Sequence, residues 1–307
     1  MTILWVIVLV VGLATSGLAA DKALRAAETL GQQAGLSPFV IGLTVVSIGT
    51  DLPEIANSIS AAAAGRGDLN VGDSTGSAAT QITFVLGLLC LFTTVRTDRT
   101  FVVSTGVLTV GALVGGAALM LDGELSRLDG IVLIITWLVT TYIVGHTSHN
   151  DRTSQPPLFT PGVLKEVTQT LIALAAVGAG AVAAVTAFGA LTDALDIPEY
   201  ATSFFILSLG TSLPELIVDG RALRQGSSAL ALGDLMGSSL VDATLSLGIG
   251  PALFSTEVST SAAHGTFIVA AVVAAAVLVL QSRSSHRWPS GLILIALYLG
   301  LVPLLIA

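Results

Sequence analysis

The sequence predicts an all-α membrane protein of ten transmembrane helices in two inverted five-helix repeats. Three observations carry this expectation. Hydrophobic residues make up 53% of the 307 and charged ones only 10%, with a mean hydropathy of +0.89; that leaves too little polar surface to coat a soluble globule of this length. Apolar windows recur along the whole chain, each near or above the roughly 20 residues a spanning helix needs. Finally, Ser47-Ile-Gly-Thr-Asp-Leu-Pro-Glu54 returns 161 positions later as Ser208-Leu-Gly-Thr-Ser-Leu-Pro-Glu215, and Gly72-Asp73-x-x-Gly76-Ser77 returns at the same offset as Gly233-Asp234-x-x-Gly237-Ser238.

In chain order, the first window, 2–20, has no positive leader and no soluble domain behind it, so it reads as a helix rather than a secretory signal. The second (38–64) carries the first acidic motif, and the third (70–93) its Gly-Ser partner. The fourth (101–121) and fifth (129–146) are plain apolar spans. Ser, Thr, His and Pro crowd the stretch 147–161, which reads as the seam between a first repeat over 1–150 and a second over 162–307, with 151–161 as linker. The sixth window (162–188) is rich in Gly and Ala. The seventh (200–220) and eighth (229–254) carry the second set of motifs, and the ninth (264–281) and tenth (288–306) are again plain. Alternation of period two is absent, which argues against a barrel.

Basic residues set the expected orientation. Lys22, Arg25, Arg96, Arg99, Arg152, Lys165, Arg221, Arg224, Arg283 and Arg287 fall in or beside the odd-numbered loops, and only Arg66 and Arg127 beside the even ones. The odd loops are therefore expected on the cytoplasmic side of the cell membrane, with both termini external. Five helices per half is an odd number, so the second half enters the bilayer upside down relative to the first. Such pairs place a shared site near the midplane.

The chemistry of the motifs suits a dehydrated hard cation. An ionisable group at membrane depth costs roughly 2.5 to 3.5 kcal/mol even on the gentler insertion scales, so a duplicated acid there marks an ion or substrate site. Glu54 and Glu215 have no Lys or Arg at matching depth and cannot neutralise one another, which argues against a structural ion pair. Pro53 and Pro214 lack amide protons and free the carbonyls of Gly49 and Gly210. Helical spacing puts Ser47, Thr50, Asp51 and Glu54 on one face, and Ser208, Thr211, Ser212 and Glu215 on another. The following helices add Asp73, Ser77 and Gln81 in one half and Asp234, Ser238 and Asp242 in the other. Asp51, Glu54, Glu215 and Asp242 together would bring four negative charges. No His or Cys joins these oxygens, so the expected ions are hard ones such as sodium and calcium. Cys90, the single cysteine, sits in an apolar run and reads as packing.

The paired Gly-Thr-x-Leu-Pro-Glu segments, each followed 23 residues after its Glu by the Ser of Gly-Ser, resemble the two alpha repeats of the sodium/calcium exchanger family, within the cation/calcium exchanger superfamily. The resemblance implies an antiporter exchanging several sodium ions for one calcium ion, with no cofactor. It further implies that Glu54 and Glu215 are central calcium ligands shared with sodium, and that Thr50 and Thr211 contribute main-chain and side-chain oxygens. Ser77 and Ser238 would complete flanking sodium sites that the carbonyls of Ser47 and Ser208 face, and Asp242 would line the middle. The chain departs from the family pattern in three ways. Asp51 stands where Ser is usual, and Ser212 keeps that Ser in the other half. Gln81 replaces an Asn, and Asp73 and Asp234 stand where Asn is common.

Other readings stand beside this one. Asp73 and Asp234 fall near the starts of their windows and are as compatible with helix capping as with attracting cations. Taken without the repeat, the four motif hydroxyls would more readily be read as bonding back to carbonyls one turn earlier. Asn57 and Asp219 lie one turn beyond the glutamates and carry no assignment. The runner-up functions are a proton-coupled calcium exchanger and an exchanger of another divalent cation such as magnesium. A channel fits a dense acid cluster less well. A membrane enzyme fits least, because no His-Glu-x-x-His and no Ser-His or Cys-His constellation occurs in the spans. Basic clusters for nucleic acid are missing, so the expected partners are the lipid bilayer and the ions; the oligomeric state is open and a monomer suffices.

Overall fold

The computed structural model describes residues 41–147 and 199–306 continuously, together with 3–12 and scattered positions before and between them. The seam and most of the sixth window lie outside the described residues. Among the described residues, six helices are long and apolar enough to cross a membrane: Gly67–Phe92, Arg99–Asp122, Arg127–Val144, Ser228–Leu253, Thr260–Gln281 and Trp288–Leu305. A seventh span forms if Glu199–Thr211 and Leu213–Arg224, bent by 41° at Ser212, count as one. Ile3–Gly12 is a shorter apolar helix.

The bends arise where the sequence puts proline. Asp51 and Ser212 each leave the helical conformation (φ −80° with ψ 4° and 10°), and Pro53 and Pro214 sit in the first turns of the helices Leu52–Ala63 and Leu213–Arg224. Proline fits a first turn because its missing amide would be unpaired there anyway. One chain thus yields two short helical pieces meeting at an acid or a hydroxyl.

Secondary structure repeats with the sequence. Leu52–Ala63 maps onto Leu213–Arg224, and Gly67–Thr80 onto Ser228–Val241. The π-helical turn Gln81–Val85 likewise maps onto Asp242–Ser246, each pair at an offset of 161. The left-handed glycines Gly65 (φ 70°) and Gly226 (φ 84°), which turn the chain between the paired helices, keep the same offset.

Packing crosses between the halves. Gly67–Thr80 lies against Ser203–Leu207 of the second half, and Ser228–Val241 against Ile41–Val46 of the first. Two glycines make these approaches possible: a Cβ on Gly76 would stand 2.6 Å from the Phe204 carbonyl oxygen, and one on Gly237 2.8 Å from that of Leu43. The two motif-bearing spans are the core, with 78% of the Gly67–Phe92 window and 89% of the Ser228–Leu253 window buried. Arg127–Val144 and Trp288–Leu305, at 22% and 28%, form the rim. Their outward side chains, among them Ile131, Leu138, Leu292 and Leu299, are apolar.

The connections sort into two contact groups. Val95–Arg96 pairs antiparallel with Ser285–His286, and the Arg96 amide donates to Ser228 Oγ. Separately, Glu124–Leu125 pairs with Thr256–Glu257, the Ser259 amide donates to Asp68, and Arg66 forms an ion pair with Glu199 at 2.8 Å.

Candidate cation site

Twelve residues were expected at the site, and all twelve are buried where the two halves meet. Asp51 and Glu54 come from the first break, Glu215 from the second. One carboxylate oxygen from each of the three lies within 4.8 Å of the others. Gln81 joins Asp242 to them: its amide nitrogen donates to Asp242 Oδ2 at 3.0 Å and faces Asp51 Oδ1 at 3.4 Å. That side-chain amide has two protons and here faces two carboxylates. Its own oxygen lies 3.1 Å from Ser239 Oγ, whose single proton is also within reach of the Leu235 and Ala78 carbonyls. Ser239 was not singled out in the sequence, although it stands three residues before Asp242 on the same helix.

Around this centre the threonines cross from one half to the other. Thr50 Oγ1 lies 3.4 Å from Asp234 Oδ1 and 3.3 Å from Ser238 Oγ. Thr211 Oγ1 lies 3.3 Å from Asp73 Oδ1 and 3.2 Å from Ser77 Oγ. Ser77 also reaches Glu54 Oε1 at 3.3 Å, and Ser208 Oγ meets Thr80 Oγ1 at 3.4 Å. The back-bonding reading holds for Thr50 and Thr211, each 3.2 Å from a carbonyl of the preceding turn, but not for Ser77 and Ser238, which face side chains; outside that set, Ser47 Oγ donates to Leu43 O at 2.7 Å and Ser208 Oγ donates to Phe204 O. A hydroxyl has one proton but two acceptor lone pairs. A hydroxyl that gives its proton to a carbonyl therefore keeps its lone pairs free for a cation.

The capping reading of Asp73 and Asp234 is overturned. Their helices begin six residues earlier, at Gly67 and Ser228, after the turns made by Gly65 and Gly226, and neither N-cap is held by a side chain. Both acids are mid-helix and buried. Asp73 accepts from Asn57 Nδ2 at 2.8 Å. Among the described residues Asp234 has no amide partner, and both carboxylate oxygens of Asp219, its neighbour, are unpaired.

The decisive feature is what the centre leaves unsatisfied. Asp51 Oδ2, Glu54 Oε2, both oxygens of Glu215, Asp242 Oδ1 and the Ser212 hydroxyl are buried with no hydrogen-bond partner among the described residues. Buried polar atoms are nearly always paired, and an isolated buried carboxylate is far costlier than a neutral group. Five orphan carboxylate oxygens, on acids three of which bring an oxygen within 4.8 Å of one another, fit a cation-binding cage of hard ligands.

Known proteins resemble the chain in sequence and in fold. The family described as sodium/calcium exchanger protein matches residues 4–145 and again 166–307. Inner membrane protein YrbG of Escherichia coli is 32% identical over 267 residues, covering 80% of this chain and 79% of its own. Sodium/calcium exchanger MaX1 of Methanosarcina acetivorans is 24% identical over 342 residues, with 97% of each chain covered. Among solved structures, the sodium-calcium exchanger NCX_Mj in crystals soaked with 2.5 mM Na+ and 10 mM Sr2+ superposes with a TM-score of 0.71. Its identity is 26%, over 99% of each chain. Fold and acid cage define a multi-pass membrane transporter of cations. The chain belongs to the sodium/calcium exchanger protein family, whose members are exchangers, not enzymes.

Proposed function

We propose that the protein exchanges sodium for calcium across the cell membrane by alternating access around the Asp51–Glu54–Glu215 cage. The observation that carries this is the set of buried, unpartnered carboxylate oxygens contributed by both halves. Calcium would sit between Glu54 and Glu215, with carbonyls at the helix breaks as further ligands. Sodium ions would take overlapping sites built from Ser77, Thr211 and the Ser208 carbonyl on one side, and Ser238, Thr50 and the Ser47 carbonyl on the other, with Asp242, Asp51, Gln81 and Ser212 at the centre. Because the two loads need the same carboxylates, they exclude one another. An empty cage leaves like charges facing each other in low dielectric, which disfavours switching without cargo.

The same reading takes the chain as ten spans in two inverted repeats, 1–150 and 162–307 about the linker 151–161, with both termini external. Contact grouping of the connections supports it. Val95–Arg96 and its repeat-equivalent Thr256–Glu257 fall in opposite groups, as expected if one half is upside down relative to the other. The basic connections fall in the first group and most of the acidic ones in the second, in line with the charge bias.

A second reading is favoured by Asp51: an extra carboxylate where the family has Ser suits proton coupling or another divalent cation. The test is calcium uptake into proteoliposomes under imposed sodium, potassium or proton gradients. Sodium-driven uptake supports sodium coupling, and uptake that follows pH but ignores sodium overturns it. Glu54→Gln and Glu215→Gln should each lower uptake at least a hundredfold, because a single lost ligand charge in a dry site is worth several kcal/mol; normal transport by either variant would remove the cage from the mechanism.

A further inference from the structure

Away from the cage, the connection between the last two helices borders two adjoining, half-open cavities. One, of about 330 Å³, is lined by Arg283, Ser285, Arg287, Trp288, Pro289 and Ser290. The other, of about 360 Å³, shares Arg283, Pro289 and Ser290 but continues along Leu278, Val279 and Ile293. A cationic compartment therefore opens into an apolar one. Neither arginine pairs with a carboxylate among the described residues, and Trp288, 61% exposed, stands at the mouth, as tryptophans do at the membrane interface.

The loop backbone here is held rather than loose. His286 is fully buried; its Nε2 faces the carbonyls of Leu280 (2.9 Å) and Arg283 (3.0 Å), and its Nδ1 lies 3.0 Å from Ser290 Oγ. Carbonyls only accept, so Nε2 carries a proton. Thr97 Oγ1 donates to the same Arg283 carbonyl at 2.9 Å. Positive charge in such a connection is explained in general by membrane orientation alone, but that explanation does not require two arginines to line one cavity, as Arg283 and Arg287 do. At the repeat-equivalent positions, 161 residues earlier, Asp122 stands for Arg283 and Ser126 for Arg287.

We infer that these joined cavities bind an anionic phospholipid, its headgroup phosphate held between Arg283 and Arg287 and an acyl chain laid along Leu278 and Ile293. Guanidinium groups take phosphate oxygens with two parallel donors, and basic pockets between helices at the membrane surface are suited to anionic headgroups. The proposal does not depend on which ions the cage carries.

Native mass spectrometry of the detergent-purified full chain, offered phosphatidylglycerol or phosphatidylcholine, tests it. The wild type should retain phosphatidylglycerol selectively. Each arginine near an anionic headgroup contributes roughly fivefold in affinity, so Arg283→Gln with Arg287→Gln should lower retention at least tenfold. The double Lys variant should keep most of it, and Arg99→Gln, which removes a positive charge outside the cavities, should leave it unchanged. Equal retention of the two lipids, an equal loss in Arg99→Gln, or displacement by glycerol phosphate at matched concentration would each overturn the assignment. Because Arg99, Arg283 and Arg287 are all exposed, the variants are expected to fold, and an unchanged thermal unfolding profile checks that.

Discussion

Gln81 shows how two sequence departures make sense only together. Asp51 adds a carboxylate to the cage, and Gln81, one methylene longer than the family's usual Asn, sets its amide nitrogen 3.4 Å from that carboxylate while donating to Asp242. Residues sharing partners in this way do not act additively. The double-mutant cycle of Asp51→Ser and Gln81→Asn, read from calcium affinity by calorimetry, should therefore show a coupling of about 0.5 to 3 kcal/mol; additive losses would mean the contact carries no weight. The carboxylates themselves were legible in the sequence because acids in apolar windows are conspicuous. Their partners were not: nothing in the spacing pairs Thr50 with Asp234, Asn57 with Asp73 or Ser239 with Gln81, since those contacts exist only once helices from different parts of the chain are packed.

Helix breaks and close crossings govern the elements. Pro53 denies Gly49 a hydrogen-bond donor, so Pro53→Ala should close the turn, raising thermal stability in detergent while slowing transport. That opposite movement is the signature of a carbonyl kept free for a ligand. Gly76→Ala should do the reverse of a normal helix substitution. Ala for Gly in an open helix position stabilises by roughly 1 kcal/mol, as expected for Gly111, where a Cβ meets nothing within 4 Å. At Gly76 the Phe204 backbone is in the way, so melting temperature and uptake should both fall. Hydropathy windows located the elements but blurred their ends. They started the third helix near 70, three residues late, which left Asp73 open to a capping reading, whereas Gly65, at positive φ, sets the turn just before Gly67; the eighth start near 229 was one residue from Ser228, and Asp234 is already six residues inside that helix.

At the level of the whole molecule, the repeat was readable from the sequence because both motifs return at one offset; what remained invisible was how closely the halves embrace. Orientation can be checked directly. Cys90 is buried, so in a Cys90→Ala background, cysteines at 96 and 285 should react with a membrane-impermeant maleimide only from the cytoplasmic side. Cysteines at 124 and 257 should react only from the outside; labelling of all four from one side would contradict the inverted arrangement. The crossing of the threonines has a further consequence. Since Thr50 is completed by Asp234 and Thr211 by Asp73, a polypeptide severed between the repeats would carry cargo only when both fragments are made in the same cell and find each other, and purified fragments should regain uptake on mixing but never singly.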